Sequence, residues 1–460
     1  MDGKKLSLGI KLGYGVCDFG GNLFFTATAF VLMNYITDTM GLAAGLAGTA
    51  LFIGRVWDAC YDPILGYWSD KTKTRLGRRR PFMLAGAIPL FLAMVLMFTN
   101  PSFFKQGMSQ TALFIFTTIV YVILCTAYST VNIPYSSLSP ELTDDYHERT
   151  SLNGFRFGFA AIGTLVGAGA AWPIVGLLKD KNMGFVLLGI VYGSIMLVTT
   201  LLTVFTVKEP ENLKPAKSMG FIETYKEVFK NGPYLLILAT YILHIIAITI
   251  VSGIAIYFFD YVLAARNAIN PQEQTTFAML TLIGTAFVFI PVSVLLSKKI
   301  GKKLVYSAGF IIIAAVLMVL YALAHTMPVS FTLAMMGVMG VGFGFTYALP
   351  YAIVADAIEY DYMRTGERRE GSFFGIWTWG LKLGQALAAL SMGWMLQIMG
   401  YVKGAMPQSP SAELGIRLLL GPIPAAIFLF AAIVLYFYPI TEKRYAEIQK
   451  QIKEMEASKG

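Results

Sequence analysis

The sequence predicts an all-α polytopic membrane protein with twelve transmembrane helices in two six-helix bundles. Apolar runs of about 20 residues, each long enough to cross a bilayer, recur along the whole chain. Hydrophobic residues make up 56% of the chain and charged residues only 14%, whereas soluble proteins carry about 25% charged residues. A long polar connection that contains Pro210 and Pro215 separates two groups of six apolar runs.

The predicted spans follow from the length of the apolar runs. The first six are 11–37, 41–69, 81–99, 110–139, 151–178 and 184–207. The second six are 233–263, 273–297, 304–324, 329–357, 372–400 and 413–438. We therefore predict an N-terminal bundle at 1–207, a cytoplasmic linker at 208–232, a C-terminal bundle at 233–440 and a cytoplasmic tail at 441–460.

The basic residues predict how the spans are oriented. Most of the 36 Lys and Arg residues fall on one side of the membrane, in 71–80, 298–303, the linker and the tail. Because cytoplasmic loops carry the excess of basic residues, we expect both termini on the cytoplasmic side of the cytoplasmic (inner) membrane. The net charge of +9 then reflects orientation and contact with membrane lipid, and we expect no nucleic-acid partner. We expect the protein to function as a monomer.

An arginine and two aspartates interrupt the second predicted span. Arg55, Asp58 and Asp62 are spaced three and four residues apart, so they share one face of a helix. Two buried carboxylates one turn apart repel each other, so one must bind a proton or the pair must hold a cation. This predicts a site for a coupling ion, Na⁺ or H⁺, at Asp58 and Asp62. A structural ion pair with Arg55 is the alternative, and it would leave the second carboxylate in need of a partner.

Three more ionisable residues lie inside predicted spans: Asp18, Arg156 and Lys382. A charge at the centre of a bilayer costs about 2.5–3.5 kcal/mol on the insertion scale, so such residues face a cavity and have partners. We expect a polar cavity between the halves in which these groups pair when it is empty and pair anew when it is loaded. Asp18 can bridge sugar hydroxyls or pair with Arg156 or Lys382, and the sequence leaves both open.

Several uncharged side chains near these groups are candidate substrate contacts. Amide groups can bridge neighbouring sugar hydroxyls, and aromatic rings can stack on the faces of sugars. For the rings the alternative is packing or lipid contact, and for Asn132 it is a satisfied amide beside the helix kink at Pro134. The candidates are Asn22, Tyr128, Asn132, Trp377 and Thr378.

Residue types typical of other functions occur without the spacing that those functions need. Three cysteines lie inside apolar spans, and three histidines are scattered, so we predict no metal centre and no catalytic pair. The glycine-rich runs 158–169 and 337–344 indicate close helix packing and not phosphate loops. We therefore expect neither an enzyme nor a cofactor.

A basic turn occurs at the same place in both halves. Asp70 and the run from Gly77 to Arg80 follow span 2, and Ser-Lys-Lys-Ile-Gly-Lys-Lys at 297–303 follows span 8. Equivalent turns in two halves indicate a duplicated carrier, and the first turn resembles the signature loop of the major facilitator superfamily. Pairing of such loops would close the cytoplasmic side, although topology alone also explains their charge. The predicted gating residues are Asp70, Arg78, Arg149 and Arg368.

Motifs along nearly the whole chain resemble one branch of that superfamily. The branch is the glycoside–pentoside–hexuronide:cation symporter family, which is melibiose carrier-like. The resemblance rests on Tyr14-Gly15, Asp18-Phe19-Gly20, Thr37-Asp38-x2-Gly41, Arg55-x-Trp57-Asp58-x3-Asp62-Pro63, Arg75-x-Gly77-Arg78-Arg79-Arg80-Pro81, Asn132-Ile133-Pro134-Tyr135, Arg156 and Lys382.

The resemblance implies inward symport of a glycoside, pentoside or hexuronide with Na⁺ or H⁺ by alternating access. It implies cation binding by Asp58 and Asp62, with Ser129 and Asn132 at the adjoining helix 4 positions. It also implies substrate contacts for Arg156 and Lys382, whereas the family's acids on helices 1 and 4 align with Asn22 and Asn132. A related symporter for amphipathic lipids or drugs is the alternative function.

Overall fold

The computed structural model describes residues 6–72, 74–143, 146–209, 228–264, 270–367 and 369–457. Within these ranges the side chains at 70, 140, 146, 147, 149 and 150 are not described. The first helices are α1 (Leu8–Thr26), α2 (Ala44–Lys71), α3 (Arg80–Met97), α4 (Gln110–Leu142), α5 (Tyr146–Gly176) and α6 (Lys181–Thr206). Beyond α1 the chain stays helical through π turns at Ala27–Val31 and Tyr35–Met40, with Leu32–Asn34 between them.

The second group begins after the linker. Its helices are α7 (Gly232–Phe258), α8 (Pro271–Ile300), α9 (Lys302–Leu323), α10 (Val329–Tyr347), α11 (Leu349–Thr365), α12 (Glu370–Ile398), α13 (Pro410–Leu420), α14 (Pro422–Tyr436) and α15 (Glu442–Ala457). A π turn at Phe259–Leu263 extends α7. Each of the twelve predicted spans overlaps helix, so the all-helical fold class is confirmed.

Two long helices differ from the other spans in composition. Ten helical segments in the described ranges are long and apolar enough to cross a membrane, and α2 and α12 are not among them. Helix α2 carries Arg55, Asp58 and Asp62, and α12 carries Lys382. Ionisable groups inside a span lower its hydropathy, and they are kept for function or pairing. These two less apolar helices therefore carry four of the six ionisable residues that the sequence places inside spans.

Two predicted spans are interrupted where the sequence places proline. Span 10 is broken at Ala348, and α11 begins with Pro350 in its first turn. Span 12 is broken at Gly421, directly before Pro422. Proline has no backbone N–H, and its ring collides with the carbonyl of the preceding turn, so a helix ends there and a new one begins. The two helical pieces together still cover nearly the whole of each predicted span.

The predicted tail contains a helix that the sequence analysis did not anticipate. Helix α15 buries Ile448 and Ile452, which lie four residues apart on one face. The hydroxyl of Tyr362 donates to Glu456 Oε1 at 3.0 Å, which joins α15 to α11. The tail therefore forms a helix that packs against the rest of the protein, and it is not a solvated run of basic residues.

Contacts divide the chain into two compact units. Unit 1 comprises Met1–Pro215, Ser252–Phe277 and Ala389–Ile416, and unit 2 comprises Ala216–Val251, Ala278–Ala388 and Arg417–Gly460. The predicted linker lies largely outside the described residues, because 210–227 are not described. The division into bundles at 1–207 and 233–440 stays a prediction.

Candidate functional site

The charged face of α2 forms inside unit 1 as the residue spacing predicts. Asp58 has no exposed surface, and Arg55 is also buried. The Nη1 atom of Arg55 lies 3.7 Å from Asp58 Oδ2, which is an ion pair longer than a hydrogen bond. The ion pair with Arg55, which the sequence offered as the alternative to a cation site, is therefore present for Asp58. Arg55 balances one of the two carboxylates.

Two hydroxyl groups from neighbouring helical segments complete this cluster. Ser129 of α4, itself buried, donates to Asp58 Oδ1 at 2.6 Å. Arg55 Nη2 donates to the hydroxyl of Thr28 at 3.2 Å. Hydrogen bonds to an ionised group are shorter and stronger than neutral ones, so Ser129 holds the Asp58 carboxylate in place.

The second carboxylate, Asp62, lies one turn further along α2 and is partly exposed. Pro63 follows it inside the helix. Because proline supplies no N–H, the carbonyl of Ala59 loses its usual helix partner beside the two carboxylates. Carboxylate and carbonyl oxygens are the ligands that hard cations prefer, so this turn of α2 has the chemistry of a cation site.

Asp18 and Arg156 meet in the same unit. The Nε atom of Arg156 donates to Asp18 Oδ2 at 2.7 Å, and the hydroxyl of Tyr135 donates to the same oxygen at 2.9 Å. The guanidinium carbon of Arg156 lies 4.8 Å from the centre of the Tyr135 ring and 5.6 Å from that of Tyr14. Of the two partners that the sequence left open for Asp18, the structure selects Arg156.

Glycines let α1 and α5 approach closely enough for this pair to form. A Cβ at Gly163 would lie 2.5 Å from the Phe19 carbonyl oxygen, and one at Gly167 would lie closer still to the Thr26 hydroxyl. A Cβ at Gly158, in contrast, would meet nothing within 4 Å. The close packing predicted for this glycine-rich run is therefore confirmed at Gly163 and Gly167.

The uncharged candidates of unit 1 lie along α1 and α4. Asn22 Nδ2 donates to the Asp18 carbonyl at 2.7 Å, and Asn22 Oδ1 accepts from Thr164 at 3.2 Å. Tyr128 is buried and stacks on Phe24, with ring centres 4.1 Å apart. Asn132 is partly buried and lines a small cavity with Tyr128. Their substrate roles, and a cation role for Asn132, stay predictions.

The candidates of α12 lie in unit 2. Trp377 is buried and stacks on Tyr241, with ring centres 4.0 Å apart and an angle of 14° between the planes. Lys382 is only 8% exposed, and Thr378 lies one turn before it, donating to the Phe374 carbonyl at 3.0 Å. The predicted substrate roles of Trp377, Thr378 and Lys382 are not tested by these contacts.

Of the four predicted gating residues, the structure describes the side chain of Arg78 alone. Arg78 and Arg79 both donate to Glu141 Oε1, each at 3.0 Å through Nη2. The Glu209 carboxylate accepts from the backbone amides of residues 78, 79 and 80 at 2.7, 2.9 and 2.8 Å, at the N-terminus of α3. The side chains of Asp70 and Arg149, and Arg368 as a whole, lie outside the described residues.

The sequence analysis quoted Asp38 in a motif but gave it no role. Its carboxylate accepts from Tyr261 at 2.6 Å and from Tyr401 at 2.5 Å. Thr37 adds a third bond at 2.7 Å, and the Thr37 hydroxyl lies 2.6 Å from that of Tyr257. Burial, with nearby Tyr257 and Asp38, raises the pKa of Tyr401 well above its usual range, so this hydroxyl stays protonated and donates.

This acid–tyrosine cluster (Thr37, Asp38, Tyr257, Tyr261 and Tyr401) lies within unit 1. It ties the end of the first span to two segments that follow more than 200 residues later. The sequence feature that could have pointed to this cluster is Asp38 itself, an acid at the end of an apolar span, where an unpaired charge is costly. No spacing rule could have named its partners.

Known proteins resemble the chain over nearly its full length. A sequence model of the family described as MFS/sugar transport protein matches residues 13–442. The glucuronide carrier protein homolog of Escherichia coli (strain K12) is 28% identical, over 98% of this chain and 96% of its own. The inner membrane symporter YicJ of the same organism is 27% identical, also over 98% and 96%.

A solved structure gives the same result for the fold. The crystal structure of the nucleoside transporter NupG superimposes with a TM-score of 0.63, covering 94% of this chain and all of NupG. The two sequences are only 13% identical, so the likeness concerns the fold and not the substrate.

Proposed function

Because the chain belongs to the MFS/sugar transport protein family, we propose that it is a secondary active symporter. It couples inward movement of Na⁺ or H⁺ to uptake of a glycoside, pentoside or hexuronide by alternating access. The names of two relatives, a glucuronide carrier homolog and an inner membrane symporter, support a sugar-type substrate and symport. The proposal includes no catalytic step and no cofactor.

One observation carries the proposal: α2 places two carboxylates and one arginine within two turns. Arg55 lies 3.7 Å from Asp58, and Asp62 lies one turn further along α2, beside the carbonyl of Ala59 that Pro63 deprives of its usual helix partner. We propose that Na⁺ or H⁺ binds at Asp58 and Asp62, with Ser129 and Asn132 as neighbours, and that Asp62 is the carboxylate whose charge the cation neutralises.

Helix α4 joins the proposed cation site to the Asp18–Arg156 pair. Ser129 donates to Asp58, and Tyr135, six residues later, donates to Asp18. At 1.5 Å per residue these two donors are about 9 Å apart along the helix axis. Cation binding that acts on Ser129 can therefore act on Tyr135 through the same helix, in which Pro134 lies between the two residues. This is the physical form that we propose for coupling between the two ligands.

The proposed substrate contacts are the residues that the sequence analysis named. They are Asp18, Asn22, Tyr128, Asn132 and Arg156, together with Trp377, Thr378 and Lys382 of α12. Asp70, Arg78, Arg149 and Arg368 are the proposed gating residues. From the distribution of basic residues we propose the cytoplasmic membrane as the location, with both termini in the cytoplasm and a monomer as the functional form.

Asp62→Asn tests this proposal in proteoliposomes. The variant removes the titratable charge but keeps the size of the side chain, so cation-driven accumulation should fall to the level of empty liposomes, while exchange of sugar for sugar persists. Asp180→Asn is the control, because Asp180 is an exposed N-cap of α6 and asparagine keeps that cap. Uphill accumulation by Asp62→Asn at the parental level would contradict the assignment. Lysolipids added as competitors would distinguish sugar symport from the alternative, symport of amphipathic lipids or drugs.

A further inference from the structure

The Asp18–Arg156 pair leaves particular atoms available to a ligand. Arg156 uses only Nε in its bond to Asp18, and within the described residues no hydrogen bond is made by its two terminal amino groups. Asp18 receives both of its donors on Oδ2, and across the same described ranges Oδ1 accepts none. The side chains are 21% and 17% exposed, respectively, so these atoms lie at a surface and not in the core.

The pair is held rigidly in this arrangement. The rings of Tyr135 and Tyr14 flank the guanidinium, and their centres are 4.7 Å apart. The Tyr14 hydroxyl donates to the Tyr135 backbone carbonyl at 3.1 Å, which fixes the two rings to each other. A ligand therefore meets an acceptor and a planar set of donors whose positions are set before it arrives.

The exposed atoms suit an uncharged polyol better than an anion. A sugar hydroxyl can accept from an Arg156 amino group while its own O–H, or that of its neighbour on the ring, donates to Asp18 Oδ1. A carboxylate or sulfonate would also accept from Arg156 but would place its negative charge beside Asp18, which is already paired with the guanidinium at 2.7 Å. The net charge of the pair is zero, so these two residues offer an anion no net attraction, and Lys382 is the one other charged group among the proposed substrate contacts.

Relying on the proposed sugar transport, we propose that the Asp18–Arg156 pair selects neutral glycosides and pentosides and rejects hexuronates. Asp18 is the residue that sets this selectivity, because it cancels the charge of Arg156 and supplies the acceptor for a hydroxyl. A transporter that uses the same arginine without this acid would favour the anionic sugar.

The test compares sugars that differ only at C6, using purified full-length protein in proteoliposomes. The probes are glucose against glucuronate, and galactose against galacturonate, with xylose as a pentose. Exchange half-saturation should favour the neutral member of the better-bound pair by at least tenfold in the parent protein. In Asp18→Asn the ratio should shift toward the hexuronate by tenfold or more, and in Arg156→Gln it should shift further toward the neutral sugar. Asp180→Asn should leave the ratio unchanged.

The parent protein alone can overturn the inference, so the test does not depend on the folding of any variant. Hexuronate exchange equal to or better than that of its neutral partner contradicts the proposed selectivity but leaves symport intact. An unchanged ratio in a folded Asp18→Asn protein also contradicts it. If no probe of either charge is exchanged or bound, the proposed function itself fails, and the selectivity fails with it.

Discussion

At the scale of residues, the central feature is that the buried carboxylate of Asp58 has two partners of different kinds. Arg55 approaches Asp58 at 3.7 Å, beyond hydrogen-bond range, whereas Ser129 makes the short bond at 2.6 Å. The Arg55 guanidinium thus balances the charge of Asp58, and the Ser129 hydroxyl holds its carboxylate in position. Helical spacing alone predicts the Arg55–Asp58 contact. Ser129 lies on another helix, and the sequence indicated it only through resemblance to a family.

Ser129→Ala measures the contribution of that short bond. We expect the loss of a hydrogen bond to a buried carboxylate to cost about 1.5–3 kcal/mol, seen as a lower thermal midpoint of the purified protein. We also expect weaker half-saturation by the coupling cation, because Asp58 is no longer held in place. Ser137→Ala is the matched control, since Ser137 lies on the same helix and donates to its own Ile133 carbonyl. Equal effects of the two substitutions would contradict a special role for Ser129.

The pairing of Asp18 shows where residue-level prediction stops. The sequence shows that an acid and an arginine in different spans each need a partner, but it cannot say which charges meet. The answer depends on the crossing of α1 and α5, which places Arg156 Nε 2.7 Å from Asp18. The acid–tyrosine cluster around Asp38 was missed for the same reason, because its tyrosines come from distant parts of the chain.

At the scale of elements, glycine decides how closely the site helices pack. Gly163 lies where α5 crosses α1, and there is no room for a methyl group against the Phe19 carbonyl. Small residues at such crossings let backbones approach, and the approach brings side chains on the two helices into contact. The glycine-rich run predicted this packing, but it could not predict which of its glycines stand at the crossing.

Gly163→Ala should separate α1 from α5 and weaken the Asp18–Arg156 pair. Overpacking of this kind costs about 1–3 kcal/mol, so we expect a lower thermal midpoint and weaker substrate binding. Gly158→Ala is the control, because a Cβ there meets nothing within 4 Å. Gly158→Ala should leave the free energy of unfolding unchanged or raise it by up to about 1 kcal/mol, because alanine has the higher helix propensity. A Gly163→Ala protein as stable and active as Gly158→Ala would contradict the close crossing.

Element boundaries show a second limit of prediction. Each of the twelve predicted spans overlaps helix, but the breaks at Ala348 and Gly421 depend on how Pro350 and Pro422 are placed in the helix. Helix α15 was missed because its charged surface dominates the composition of the tail, although Ile448 and Ile452 have the spacing of a buried helix face.

At the scale of the whole molecule, compact units and sequence halves do not coincide. Segments Ser252–Phe277 and Ala389–Ile416 come from the predicted second half but belong to unit 1. Asp38 receives a hydroxyl from each of these segments, which gives one physical reason for their placement. Run lengths and a central linker indicate a duplicated chain, but they cannot show which segments pack together.

The central claim is that the carboxylates of α2 exchange a cation in step with sugar, and sugar-driven cation entry tests it most directly. Proteoliposomes without ion gradients receive a sugar gradient, while sodium uptake and internal pH are both followed. The account predicts that Na⁺ or H⁺ enters with the sugar in the parent protein although no ion gradient drives it, and that this entry is lost in Asp62→Asn. Sugar uptake by the parent protein with neither ion moving would contradict it.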